Sequence, residues 1–112
     1  MKWMTFSCIA ILLTSSAFVH ASERAVVCAK YAANYGWSEG YAIEATIASG
    51  SELNQATGSF TYDGLSTYVV IFWRQDQATI IKMSFPYLSA IGMDGEDQEG
   101  RKWQVAKTSV CI

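Results

Sequence analysis

At 112 residues and a formal net charge of −2, the chain has room for one small domain, and its mild acidity excludes the basic stripe that nucleic-acid binding requires. Its single histidine is His20, which falls in the leader described next. The domain that follows therefore has no imidazole for Ser-His-Asp or Cys-His catalysis, nor for His-ligated zinc or iron.

Residues 1–21 read as a signal peptide. Lys2 supplies the positive start and Phe6–Leu13 the apolar stretch. "AFVHA" ends on the small residue that a signal peptidase needs, which places cleavage between Ala21 and Ser22. The apolar run is too short, and too broken by Ser and Thr, to span a bilayer core of roughly 30 Å. The expectation is a periplasmic or secreted single domain over 22–112, with no membrane span after cleavage. Cys28 and Cys111 lie near its two ends. In an oxidising compartment two such cysteines are expected to form a disulfide, and a domain of about 90 residues gains from such a staple.

Ser22–Ala33, "SERAVVCAKYAA", suits either of two elements. A Ser-Glu start and several alanines fit a short N-terminal helix, whereas Val26, Val27 and Cys28 fit a strand. "NYGWSEG" is a loop with two glycines, and it carries Trp37 where a side chain is readily exposed. From Tyr41 to Ala48 the apolar residues Tyr41, Ile43, Ala45 and Ile47 alternate with a partly polar set, the pattern of a strand. "SGSELNQATG" reads as a polar turn region. Ser59–Asp63 offers a short strand with Phe60 and Tyr62 on one face, and "DGLS" a turn.

"TYVVIFWRQDQATIIKM" is the most apolar part of the chain. Both arms are rich in β-branched and aromatic residues, and "RQDQ" stands where a hairpin turn belongs. Tyr68–Trp73 and Ala78–Met83 are therefore expected to pair in the centre of a sheet, with Arg74–Gln77 exposed at the tip. The first arm is apolar on both faces, so it needs cover on both. Pro86 ends the second arm, and Leu88–Met93 suits a further strand. "DGEDQEGRKW" gathers Asp94, Glu96, Asp97 and Glu99 without the ligand order of a calcium loop, and reads as a solvated acidic hairpin loop ended by Gly100. Lys102–Val110 is the last strand, with Trp103 and Val105 on one face. Short strands at close spacing predict a mainly β fold, a small antiparallel sheet or barrel, with or without one short N-terminal helix.

No phosphate loop is present, because Gly50 and Gly58 stand eight apart with no Lys-Ser or Lys-Thr after them. Carboxylate-pair chemistry is the one catalytic option left. The expectation is a domain that is not an enzyme, with no cofactor and no metal site.

"ATGSFTY" puts a Thr-Gly-Ser turn before an aromatic, and "FWRQDQATI" follows as an aromatic pair, a polar turn and an apolar strand. In a small exported β domain closed by one disulfide, this order resembles the C-type lysozyme inhibitors of bacterial envelopes. These are small barrels in which a Ser-Gly-x-x-Tyr segment precedes a Trp-x-Lys-Gly-x-x-Ala segment. Tyr62 lies one position later than that spacing, and Gln75 and Asp76 stand where the family has Lys-Gly, leaving Arg74 as the cation of the turn. The resemblance implies inhibition of a cell-wall-degrading enzyme such as lysozyme, with Ser59 and Arg74 reaching into its cleft. Trp37 joins them as a candidate binding residue, since aromatic side chains and Arg anchor interfaces. Two other functions suit the same features. One is a periplasmic immunity protein that neutralises a delivered toxin with its acidic loop, and the other is a glycan-binding module using exposed aromatics.

Overall fold

The computed structural model describes residues 22–111, and the expected leader over 1–21 lies outside them. Among the described residues seven strands and one helix follow in order: β1 (Glu23–Ala33), β2 (Gly36–Trp37), β3 (Tyr41–Ser49), α1 (Gly50–Thr57), β4 (Thr67–Arg74), β5 (Gln77–Met83), β6 (Met93–Asp97) and β7 (Lys102–Ala106). Each long strand pairs antiparallel with the next, and β1 also pairs with β7 through Cys28↔Ala106 and Tyr31↔Trp103. That last pairing closes the sheet into a six-stranded barrel, with β2 folded back on the end of β1. The N-terminal segment is thus a strand rather than a helix. Its length explains the choice, since β1 must serve β3 with its first half and β7 with its second.

Alternation along the strands sets the core. Val27, Ala29, Ala45, Val69, Ile71, Ile81, Met83, Trp103 and Val105 pack inside. Six strands enclose a narrow interior, and small residues at Ala29, Ala45 and Gly95 give the larger ones room. At Gly95 a β-carbon would come within 2.6 Å of Ile81 Cγ2 and 2.9 Å of Met83 Sδ, so the glycine is a packing requirement.

The β4–β5 hairpin forms as the sequence predicts, from Tyr68↔Lys82 to Phe72↔Ala78, with 74–77 exposed at its tip. Cover for the outer face of β4 comes from the β3–β4 connection. Tyr62 meets Tyr68 edge-on with ring centroids 5.3 Å apart, and the Tyr68 hydroxyl accepts from the Asp63 amide at 2.9 Å. Phe72, farther along the same face, has no such cover and is 61% exposed.

Four local expectations change. The polar stretch after Ser49 is helix α1, started by a capping box in which Ser49 and Glu52 satisfy each other's backbone amides and ended by Gly58 at φ 68°. Residues 59–63 form a loop rather than a strand. The expected strand over 88–93 starts only at Met93 and runs through Asp97, so the acidic stretch is mostly strand and its turn is 98–100. The last strand stops at Ala106. The chain then returns along the outside, where Cys111 bonds Cys28 at a Cα–Cα distance of 5.3 Å. Gly40 lies under that bridge, where a β-carbon would meet both sulfurs within 3 Å. Among the described residues no helix is long and apolar enough to cross a membrane.

Candidate functional site

The barrel has two unlike ends. At the helix end lie α1, the 58–66 loop and the 84–92 connection. At the mouth lie the 34–40 connection, the 75–76 turn and the 98–101 turn.

The helix end displays apolar side chains on a fixed loop. Phe60 is 99% exposed and Leu65 93%. Asn54, on α1, holds the first part of the loop by donating to Tyr62 O and accepting from the Tyr62 amide, both at 2.9 Å. Asp63 holds the second part. Its carboxylate accepts from the Leu65 amide at 3.2 Å and the Ser66 hydroxyl at 3.0 Å, and its carbonyl accepts from the Ser66 amide at 3.1 Å. These hydrogen bonds, that of Leu65 foremost, and the nearby Lys82 ammonium hold the Asp63 carboxyl below its ordinary range despite some desolvation. Gly50 passes so close to Asp63 O that no β-carbon fits there, which locks the loop onto the start of the helix. Thr67 Oγ1 donates to Pro86 O at 2.5 Å, tying in the 84–92 connection, where Phe85 and Tyr87 are also exposed.

The mouth is built from aromatic rings contributed by four strands. Tyr31 and Tyr41 stack at 6.3 Å, Tyr41 meets Trp73 edge-on at 5.8 Å, Trp73 lies 6.5 Å from Trp103, and Trp103 returns to Tyr31 at 5.6 Å. Trp73 sits at a register shift between Phe72 and Arg74. A bulge at a barrel rim re-aims a side chain, and here the indole N–H donates to Thr79 Oγ1 at 2.8 Å. The Trp103 indole donates to Asp97 Oδ2 at 2.8 Å, while Asp97 Oδ1 accepts from the Glu99 and Arg101 amides, each at 2.9 Å. Burial pushes the Asp97 carboxyl up. The three hydrogen bonds and the Arg101 charge outweigh that and hold it below the ordinary range. The Tyr31 phenol beside Tyr41 raises Tyr41 above its ordinary value. Above the rings is an open cavity of about 440 Å³ whose rim includes Gln77, Glu99 and Arg101.

The three binding residues expected from the sequence fall in three places. Ser59 begins the helix-end loop and hydrogen-bonds Thr57 Oγ1 at 2.9 Å. Arg74 closes β4 at the mouth, and a strand of eight residues spans roughly 25 Å. Ser59 and Arg74 therefore lie at opposite ends of the barrel, and one cleft takes only one of them. Trp37, 44% exposed, lines a separate groove of about 570 Å³ with Lys82, Asp94, Glu96 and Lys102. Sequence reasoning did not find Phe60 and Leu65 as exposed residues, because it placed the first in a strand and the second in a turn. Nor did it find the aromatic mouth, whose members are far apart in the chain and meet only on closure. Among the described residues no three His, Cys, Asp or Glu side chains gather as a metal site would require. Compared with known protein families, with characterised proteins and with solved structures, the chain matches none.

Proposed function

We propose that this chain is an exported protein-binding domain that docks its partner at the helix end of the barrel, and that the partner is a cell-wall-degrading enzyme of the lysozyme kind. The observation that carries the docking end is the pair Phe60 and Leu65, held in water on a loop with little freedom. Burying a large apolar side chain stabilises by about 1.5–3 kcal/mol, so a partner that covers both gains that much from each. A loop already fixed by Asn54 and Asp63 loses little conformational freedom on binding. The leader-like residues 1–21 and the Cys28–Cys111 bridge support export. Two apolar side chains exposed this fully on one loop suit a concave partner surface, which favours an enzyme cleft. The resemblance of the Thr-Gly-Ser-x-x-Tyr segment points to the same loop, with Ser59 beside Phe60 as its polar contact.

The toxin-neutralising alternative drew on the acidic stretch as a plug for a basic cleft. Part of that charge is spent on other contacts, Asp97 on the Trp103 indole and Glu96 on a surface ion pair with Lys102, which favours the enzyme-inhibitor reading.

The test is wall lysis by a C-type lysozyme in the presence of micromolar chain. Wild type is expected to inhibit. Phe60→Ser with Leu65→Ser is expected to weaken inhibition at least about tenfold, the effect of losing 1.4 kcal/mol or more, with the melting temperature little changed because both side chains lie outside the core. Arg74→Glu is expected to inhibit as wild type does. No inhibition by the wild type overturns the partner. Loss of inhibition in Arg74→Glu alone overturns the docking end and moves it to the mouth.

A further inference from the structure

We propose a second binding site, at the mouth of the barrel, for a neutral pyranose oligosaccharide. The half-buried rings of Tyr31, Tyr41 and Trp73 make an apolar floor, with the buried Trp103 packed against Tyr31 and Trp73 beneath it. The core residues Val69, Ile71, Ile81 and Val105 fill the barrel beneath it, so a ligand lies across the mouth and does not enter the barrel. A cavity of about 440 Å³ falls in the usual range of small-molecule sites, about 300–1,000 Å³, and its open side lets a chain of rings continue out of it.

The rim selects the class of ligand. Arg101 offers only donors, Glu99 only acceptors, and Gln77 and the two phenols offer both. A ligand whose every polar group both donates and accepts, over a ring with an apolar C–H face, satisfies this set together with an aromatic floor. Sugar hydroxyls on a pyranose have that character. A quaternary ammonium ligand is the other common occupant of aromatic boxes. Here the Arg101 guanidinium already stands 5.0 Å from the Tyr31 ring centroid, where it covers a ring face and repels a second cation. An anionic ligand meets Asp97 and Glu99 at the same rim.

The site is also held in shape before any ligand arrives. Asp97 fixes Trp103, and Thr79 fixes Trp73. Gln98 straps the 98–101 turn to β5, accepting from the Ile80 amide and donating to Ala78 O, both at 2.9 Å. Arg101 and Glu99 give this framework their backbone amides, and the Arg101 side chain rests on the Tyr31 ring, which places its guanidinium at the rim. Among the described residues neither side chain enters an ion pair.

The experiment follows the indole N–H resonances of the folded, disulfide-bonded protein during titration with a β-1,4 tetramer of N-acetylglucosamine and, separately, of glucose. Saturable shifts of the Trp73 and Trp103 signals are expected with at least one of them, with the Trp37 signal unmoved. Arg101→Ala and Glu99→Gln are each expected to weaken that binding at least about fivefold, with the wild-type melting temperature retained. The proposal is overturned if neither tetramer moves the two signals at millimolar concentration. It is equally overturned if tetramethylammonium moves them and the sugars do not, or if both variants bind as wild type.

Discussion

Asp97 shows how one side chain can organise an end of the molecule. It caps the β6–β7 turn through two amides and satisfies the indole of Trp103, which is only 4% exposed. Asp97→Ala leaves that buried N–H without a partner, a loss of about 1–3 kcal/mol, and chemical denaturation is expected to show it. The carboxyl is held below its ordinary range. Its contribution is therefore complete above the unfolded value of about 3.9 and is lost as pH falls through the lower folded value. Tryptophan emission of the wild type is expected to change in that acidic window, and the Asp97→Ala protein to lack that transition. Gly95 acts by absence of a side chain. With a β-carbon 2.6 Å from Ile81 Cγ2, Gly95→Ala overfills the narrow interior, and a loss of about 1–3 kcal/mol is expected from the same denaturation curves.

The β4–β5 hairpin was legible because its signals are local. β-branched and aromatic residues fill both arms, a polar tetrad sits between them, and pairing adjacent segments closes only a short loop. The helix was missed, because its polar composition suits a turn, although Ser49-x-x-Glu52 carries the signature of a capping box. α1 is short and polar, and it is held by its capping box, by Gly58 and by its seat on β3. Phe60 was misplaced because an alternating apolar pattern predicts burial on one face, whereas Asn54 captures both polar groups of the Tyr62 backbone and draws the segment into a loop. The acidic stretch looked solvated because charge alone was visible. That Asp97 turns inward to Trp103 depends on the β6–β7 register, which no local pattern specifies. The mouth is the least legible part, since Tyr31, Tyr41, Trp73 and Trp103 converge only when β1 closes on β7.

For the molecule as a whole, the disulfide and the barrel seam reinforce one another. Cys28 lies on the strand that closes the barrel, and the bridge to Cys111 spans a sequence separation of 83 residues. On chain-entropy grounds so long a loop contributes about 4–5 kcal/mol. Replacing both cysteines with alanine is expected to lower the denaturation midpoint accordingly, and because the seam runs through β1, early exchange of the Cys28–Tyr31 amides should accompany it. On the proposed reading the two ends of the barrel divide its work, with apolar anchors on a fixed loop at one and an aromatic floor with a polar rim at the other. The most direct test of the docking end is amide exchange of the chain alone and mixed with C-type lysozyme. Protection confined to residues 58–66 and 84–91 is the expected result. Protection at 74–77 and 98–101 instead, or none anywhere, would contradict it.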